Sequence, residues 1–555
     1  MTSTDSLRRL LLLSVIVLTS LVLASAGQSA APNTVTSDKV DAVFTKFTRS
    51  TPGCALGVVQ DGSLVYRKGY GLASLELAVP ISPETVFDIG SDSKQITAAA
   101  VILLAQQGKF SLNDDVRKFL PELPDYGKTI RISNLLHHTS GIRDYIGLLT
   151  MAGAQEESVT TDDEALGILA KQKGLNFAPG DDFLYSNSNY FLLSIIVKRA
   201  SGKTLREFAA ENIFAPLGMN NTQILDDHQR ILPNKASSYF GRDGKYQLEI
   251  ANWEQTGDGA VNTTIGDLAK WDANFYSGKV GGEAMLRELQ TPGVLNDGTK
   301  LTYADGLVVD EDRGLRRVSH GGAWAGFRTY IERFPERRFS VIVSCNLANS
   351  NPAQLADEVA DLYLGSRRTA PPALEQPKSN EDVSRYVGTY WSADSFAVLQ
   401  IGLRDGKLWT SGPGLVAPLI SQGDGAFSMS TGGRLSRLRF QQVKGGVMQM
   451  IATPKGAAII TLDRIPESKP PDLAALAGDY VSEELNGVRV SLKQKDGSLV
   501  LRWPADALRF RFDEIPLTAF TADVFAGQGK LLKFQDNGFV LAEGRERGMK
   551  FLKMK

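Results

Sequence analysis

The chain has 555 residues, 43% of them hydrophobic and 22% charged, with a formal net charge of −1. Such a length exceeds what one hydrophobic core supports and points to several domains, while the balanced charge gives no reason to expect nucleic acid or an acidic membrane surface as partner. Two cysteines, Cys54 and Cys345, exclude a disulfide-rich scaffold and leave open whether they are bridged or remain buried thiols.

At the N-terminus Arg8-Arg9 precede an apolar run from Leu10 to Leu23 and the small residues Ala24-Ser25-Ala26. This pattern predicts a secretory signal over residues 1–26 and a periplasmic or secreted mature protein. The run is shorter than the roughly 20 residues a membrane span requires, so no stable membrane anchor is expected. A helix then starts near Ser37, with Val40, Val43, Phe44 and Phe47 on one face, and ends by Thr51-Pro52-Gly53. Asp61-Gly62 predicts a tight hairpin between strands 55–60 and 63–66.

Next comes Gly90-Ser91-Asp92-Ser93-Lys94, running into a segment that is apolar on all sides as far as Ala105, the mark of a buried helix. Three residues apart on a helix, Ser91 and Lys94 face each other. Taken alone, Ser91 reads equally well as a helix cap. From Phe110 to about Lys300 the pattern is mostly helical with no strand repeat, and a helical lobe is expected. It holds three local signatures: Leu135-Leu136-His137-His138-Thr139-Ser140-Gly141, Tyr185-Ser186-Asn187, and the stretch from Gly257 to Thr264.

Strands return at 316–319, 327–334 and 338–345, and a helix capped by Asn351-Pro352 runs to Gly365. Strands at both ends of residues 27–366 predict an α+β domain, one antiparallel sheet flanked by helices plus the helical lobe. Residues 367–383, rich in Pro and polar residues, read as a linker. Beyond it Gly388-Thr389-Tyr390 with Asp405-Gly406 recurs as Gly478-Asp479-Tyr480 with Asp496-Gly497, and Gly433-Arg434-Leu435 with Phe440 recurs as Gly529-Lys530-Leu531 with Phe534. This duplication predicts two small antiparallel β-barrel-like domains, 384–465 and 472–555.

The ordered set Ser91-x-x-Lys94, Tyr185-x-Asn187 and His320-x-Gly322, with Leu136 to Gly141, resembles the penicillin-recognising serine hydrolases over about residues 36–365. The branch is that of class C β-lactamases, D-alanyl-D-alanine carboxypeptidases, D-aminopeptidases and related esterases, and the two appended β modules are most similar in layout to D-aminopeptidases. The resemblance implies a β-lactamase/transpeptidase-like fold with Ser91 as nucleophile. Its proton would go to Lys94 or Tyr185, a choice the sequence leaves open. It further implies an oxyanion hole from the backbone N–H groups of Ser91 and Ala323, and a substrate held by Asn187 and approached closely by the backbone of Gly321 and Gly322.

His320 departs from the β-lactamase pattern, which has Lys there followed by Thr; orienting Tyr185 and contacting substrate are both open roles. No cofactor or metal is expected, since the chain has only four histidines and His137-His138 lacks ligand spacing. The expected activity is that of an exported serine hydrolase using an acyl-enzyme, a peptidase or amidase on small D-amino-acid-containing peptides. The alternatives are an esterase, a weak β-lactamase or D,D-carboxypeptidase, and outside enzymes a peptidoglycan-fragment binding or sensory protein. The partner is a small molecule or short peptide; oligomeric state is not legible.

Overall fold

The structure, a computed structural model, describes residues 35–365, 368–369 and 382–555 except 394, 413–414, 432–433, 444, 455–459, 467–470, 505–513 and 536. The expected secretory signal, Gly433 and most of the expected linker lie outside the described residues. Asp61 and Gly62 both take positive φ, 52° and 78°. That backbone matches the twist of the flanking strands, and Cys54–Gln60 pairs antiparallel with Ser63–Tyr70.

These strands close one edge of a six-stranded antiparallel sheet. In spatial order it runs Val308–Asp312, Leu315–Trp324, Phe327–Phe334, Phe339–Cys345, Cys54–Gln60 and Ser63–Tyr70. The two-residue side-chain period divides Cys54–Gln60 cleanly: Cys54, Leu56 and Val58 join Val40, Phe44, Leu355 and Val359 of the terminal helices, while Ala55 and Val59 join the core on the other face. On that other face helix Ile265–Ser277 comes so close that a Cβ at Gly57 would lie 2.3 Å from Ile265 Cγ2. Cys54 and Cys345 stand opposite each other in the ladder and form a disulfide, which resolves the two readings left by the sequence.

The helical lobe differs from its expectation in carrying short strands. Tyr239–Arg242 and Lys245–Leu248 form a hairpin, and Phe87–Asp88, Val261–Thr263 and Gln223–Ile224 form a three-stranded patch. Strands of two to four residues are too short to show an alternating pattern. The strand Val308–Asp312 was also not anticipated, and it matters: its pairing with Leu315–Trp324 stops at Val308↔Ser319, so from His320 onward that strand has one uncovered edge.

In the C-terminal third, Gly388–Ser392 and Gly478–Ser482 occupy equivalent places, and Tyr390 and Tyr480 each donate to a carbonyl four residues back, at 2.8 Å and 2.7 Å. The first module is a nine-stranded antiparallel sheet whose two edge strands, Leu415–Pro418 and Ile420–Gly423, are separated by the single residue Leu419; it therefore curls until its edges nearly meet. The second is a closed eight-stranded barrel. That barrel docks on the helical lobe: Arg143 Nη1 meets Glu484 Oε1 at 2.7 Å with both side chains 3% exposed, and Trp503 Nε1 donates to the Met151 carbonyl at 3.3 Å.

Candidate active site

Ser91 sits in a single 3₁₀ turn, Gly90–Ser93, that feeds the buried helix Lys94–Gln106. Gly90 turns the chain with φ 50° and anchors it by donating its N–H to Asp88 Oδ1 at 2.8 Å. The Lys94 side chain has no exposed surface, and its Nζ lies among three oxygens: Ser91 Oγ at 3.0 Å, Asn187 Oδ1 at 3.0 Å and the Asp258 carbonyl at 2.6 Å. Two of the three can only accept. The Asp258 carbonyl is one. Asn187 is the other, because its Nδ2 donates to Asp144 Oδ2 at 3.0 Å and so turns its oxygen toward the lysine. A neutral Lys94 satisfies both with its two N–H bonds and presents its lone pair to the Ser91 hydroxyl.

Burial pushes the Lys94 amine well below the ordinary lysine range, with the Asp258 carboxylate opposing that shift and the Arg545 cation reinforcing it. Burial likewise raises the Asp258 carboxyl, against the pull of Lys94. Tyr185 moves the other way. Its buried hydroxyl has no aligned hydrogen-bond partner among the described residues, although Ser91 lies near enough to favour the phenolate slightly; desolvation dominates and raises the phenol. Lys94 Nζ is 4.9 Å from the Tyr185 ring centroid. The amine is thus the group that loses its proton easily, and the phenol the group that keeps it.

On the opposite wall, the uncovered edge of Leu315–Trp324 presses on the Gly90–Ser93 turn. A Cβ at Gly90 would lie 2.7 Å from the Ala323 nitrogen, so the Ala323 and Ser91 amides belong to facing segments. A Cβ at Gly322 would fall 1.8 Å from the Ile89 carbonyl. The glycine is therefore required by the chain's own backbone, where the sequence suggested room for substrate. At Gly321 a Cβ would make only an ordinary 3.5 Å contact with Tyr330, which leaves that position free toward the cleft.

His320 is buried in the wall, with Nε2 3.1 Å from the Tyr303 hydroxyl and Nδ1 2.9 Å from the Gly321 carbonyl. Desolvation first, then Lys94, push its pKa down to about 3, so the imidazole is neutral. It makes no hydrogen bond to Tyr185, whose ring centroid is 6.2 Å away. The motif from Leu135 to Gly141 finds its use in His138, which accepts the Ser186 N–H on Nδ1 at 3.2 Å and lies 4.2 Å from the Tyr185 ring, centroid to centroid. His137 pairs with Asp305 at 3.1 Å. Among the described residues one group, Asp227, His228 and Glu254, brings three potential metal-ligand atoms together, and it includes none of the partners of Ser91.

Ser91, Tyr185, Asn187, His320, Gly321, Gly322 and Ala323 line one cleft of about 2200 Å³, with Lys94 buried behind Ser91; the volume is well beyond the ~300–1,000 Å³ of a typical small-ligand pocket. Three others were missed. Asp144 caps the helix Tyr145–Met151 with Oδ1 and with Oδ2 accepts from the Asn187 N–H, Asn187 Nδ2 and Arg545 Nη1. Asp258 accepts from the Tyr145 hydroxyl at 3.1 Å. Arg545 reaches in from the second barrel. The stretch around Asp258 stood out in the sequence without a role; Asp144 looks like any cap, and nothing near Arg545 marks it.

A serine and a desolvated lysine between an antiparallel sheet and a helical lobe define the class: serine hydrolases of the β-lactamase fold. Residues 40–365 match the family model described as Beta-lactamase, and the chain belongs to that family. A D-aminopeptidase of Gluconobacter oxydans (strain 621H) is 28% identical over 450 residues, 80% of this chain and 82% of that protein. Penicillin-binding protein 4* of Bacillus subtilis (strain 168) is 30% identical over 363 residues, 61% of this chain and 79% of that one. In fold the chain is similar to the octameric penicillin-binding protein homologue from Pyrococcus abyssi, with a TM-score of 0.54 and 23% identity over 77% of this chain and 98% of that one.

Proposed function

We propose that the protein hydrolyses small D-amino-acid-containing peptides or amides through an acyl-enzyme on Ser91. The observation that carries this reading is Lys94 Nζ, 3.0 Å from Ser91 Oγ and held by Asn187 Oδ1 and the Asp258 carbonyl, so that the neutral amine can turn its lone pair to the Ser91 hydroxyl. As Oγ attacks the carbonyl carbon, Lys94 takes the hydroxyl proton, help worth about 10²–10⁴ in rate. The new oxyanion lies between the Ser91 and Ala323 amides, each donor worth about 10²–10³. As the C–N bond breaks, Tyr185 gives its proton to the departing nitrogen, and the Lys94 ammonium restores it. Water then attacks the ester with Lys94 again as base, releasing the acid and regenerating Ser91.

The substrate class draws on the D-aminopeptidase relative, which matches both the hydrolase domain and much of the β modules. A peptide also suits the cleft volume better than a single amino acid. Export is supported by residues 1–26 as a secretory signal and by the Cys54–Cys345 disulfide, a bond that persists in oxidising compartments. The test is a fluorophosphonate adduct located by mass spectrometry, followed by a panel of D-alanine p-nitroanilide, p-nitrophenyl acetate and nitrocefin run on wild type and Ser91→Ala. The expected result is an adduct on Ser91 and Ser91-dependent turnover led by the D-alanine anilide. A wild-type protein without adduct would remove the enzyme reading, and a decisive lead for nitrocefin would reverse the substrate ranking.

A further inference from the structure

Arg545 occupies the two-residue turn between strands Gly538–Glu543 and Glu546–Lys553 of the closed barrel, 401 residues from its ion-pair partner Asp144. The turn is clamped to the helical lobe. Asn176 Nδ2 donates to the Arg545 carbonyl at 2.8 Å, and Asn176 Oδ1 accepts the Arg547 N–H at 2.7 Å. From this fixed base the side chain crosses into the cleft: Nη1 donates to Asp144 Oδ2 at 2.8 Å, and the guanidinium carbon stands 4.7 Å from the Tyr185 ring centroid. Among the described residues Asp144 is the one side chain hydrogen-bonded to this guanidinium, which is 42% exposed and lines the cleft. Five N–H donors in a rigid fork, one of them committed, leave an edge suited to a carboxylate.

Two basic groups at the centre of the site do not offer such an edge. His320 is neutral and hydrogen-bonded on both nitrogens. Lys94 is enclosed by Ser91, Asn187 and Asp258. Other cations also line the cleft: Arg328, whose Nη1 donates to the Ala325 and Phe327 carbonyls, and Lys235, which lies half-buried near Asp88. The direction of approach follows from the chemistry proposed above, on which this inference rests. The phenol that protonates the departing nitrogen is the ring beside Arg545, so the released residue lies over Tyr185 and a carboxylate two bonds beyond its nitrogen comes within reach of the guanidinium.

We infer that Arg545 is a specificity-determining residue that pairs with a free carboxylate on the amino acid released from the substrate, so that the second barrel selects what the hydrolase domain cleaves. The experiment compares D-alanyl-D-alanine with D-alanyl-D-alaninamide, which share the acyl half and differ only in that carboxylate. For wild type, kcat/KM is expected to favour the free acid at least ~10-fold, about what a charge-assisted Arg–carboxylate pair is worth. In Arg545→Gln the ratio should fall to within ~3-fold of unity, mainly through the KM of the acid, with Arg545→Lys intermediate. A second measurement needs no variant: free D-alanine should inhibit wild type at least ~10-fold more tightly than D-alaninamide. A wild-type ratio near or below unity, an unchanged ratio in Arg545→Gln, or equal inhibition by the two products would overturn the inference. A Ser91 fluorophosphonate adduct run in parallel separates the failures, since its presence alongside any of these outcomes leaves the acyl-enzyme reading standing, and its absence removes that reading itself.

Discussion

At the scale of single residues, the chemistry turns on which of two protonated groups gives way. Lys94 and Tyr185 share the same desolvated pocket, and burial shifts them in opposite senses, lowering the amine and raising the phenol. The active form is the neutral amine, so kcat/KM should climb as pH rises through the lowered Lys94 pKa, with a midpoint far below the ~10.4 of free lysine. A pH profile with its acid limb near 10 would contradict this. Lys94→Arg keeps a cation that cannot be deprotonated, and is expected to lose about 10²–10⁴ in kcat at every pH, without an acid limb. Ser91 and Lys94, and Tyr185 and Asn187, were legible because each pair sits within three residues on one turn, in an order that chance seldom produces. Asp144 and Asp258 were not: they act on Asn187 and Lys94 from 43 and 164 residues away, and nothing local gives either a role at the serine.

Between elements, the decisive approach is that of the strand Leu315–Trp324 to the Gly90–Ser93 turn. Gly322→Ala would drive a Cβ to 1.8 Å from the Ile89 carbonyl and force the strand away from the serine. Separation of the Ser91 and Ala323 amides should cost about 10²–10³ in kcat, the worth of one oxyanion donor, while circular dichroism stays native. The same sheet holds a buried liability in Glu332, whose oxygens have no hydrogen-bond partner among the described residues and lie 3.8 Å from the Arg317 guanidinium. Desolvation raises its pKa from 4.5 to about 8. Between those values the unfolded carboxyl ionises and the folded one does not, so stability is lost as pH rises across that window. Glu332→Gln removes the loss, and its Tm should exceed that of wild type by at least about 2 °C more at pH 8 than at pH 5. The six-stranded sheet was legible in the strands joined by Asp61-Gly62 and by Pro335, whereas Leu315–Trp324 was read only over 316–319. Val308–Asp312 escaped because its Val-Val-Asp-Glu-Asp sequence lacks apolar alternation, and with it escaped the uncovered edge that makes the site.

For the whole molecule, the question is whether the β modules are appendages or parts of the enzyme, and the two copies give different answers. The nine-stranded sheet keeps a core of its own around Tyr386, Tyr390, Phe427, Phe440 and Met450, and meets the barrel in a smaller cluster of Val398, Val524 and Leu531. The closed barrel does not. Trp503, Leu485 and Phe551 belong to one continuous apolar cluster with Leu148 and Met151 of the helical lobe. A duplicated sequence therefore folds twice into related β structures that differ in what they are packed against, a distinction no internal repeat can report. Calorimetry should accordingly resolve the barrel 472–555 melting together with the hydrolase domain, and the nine-stranded sheet as a separate transition. The shared boundary is pinned by Arg143, which bonds Glu484, Gln172 and the carbonyls of Arg547 and Gly548 beside the Arg545 turn. Glu484→Ala strands that guanidinium without its counter-charge, a change worth about 3–5 kcal/mol when a buried pair is broken. The shared transition should drop by several degrees and the separate one should not move. If instead the barrel melted alone and Glu484→Ala left the hydrolase transition in place, the barrel would be an appendage, and its hold over the cleft through Arg545 would lose its footing.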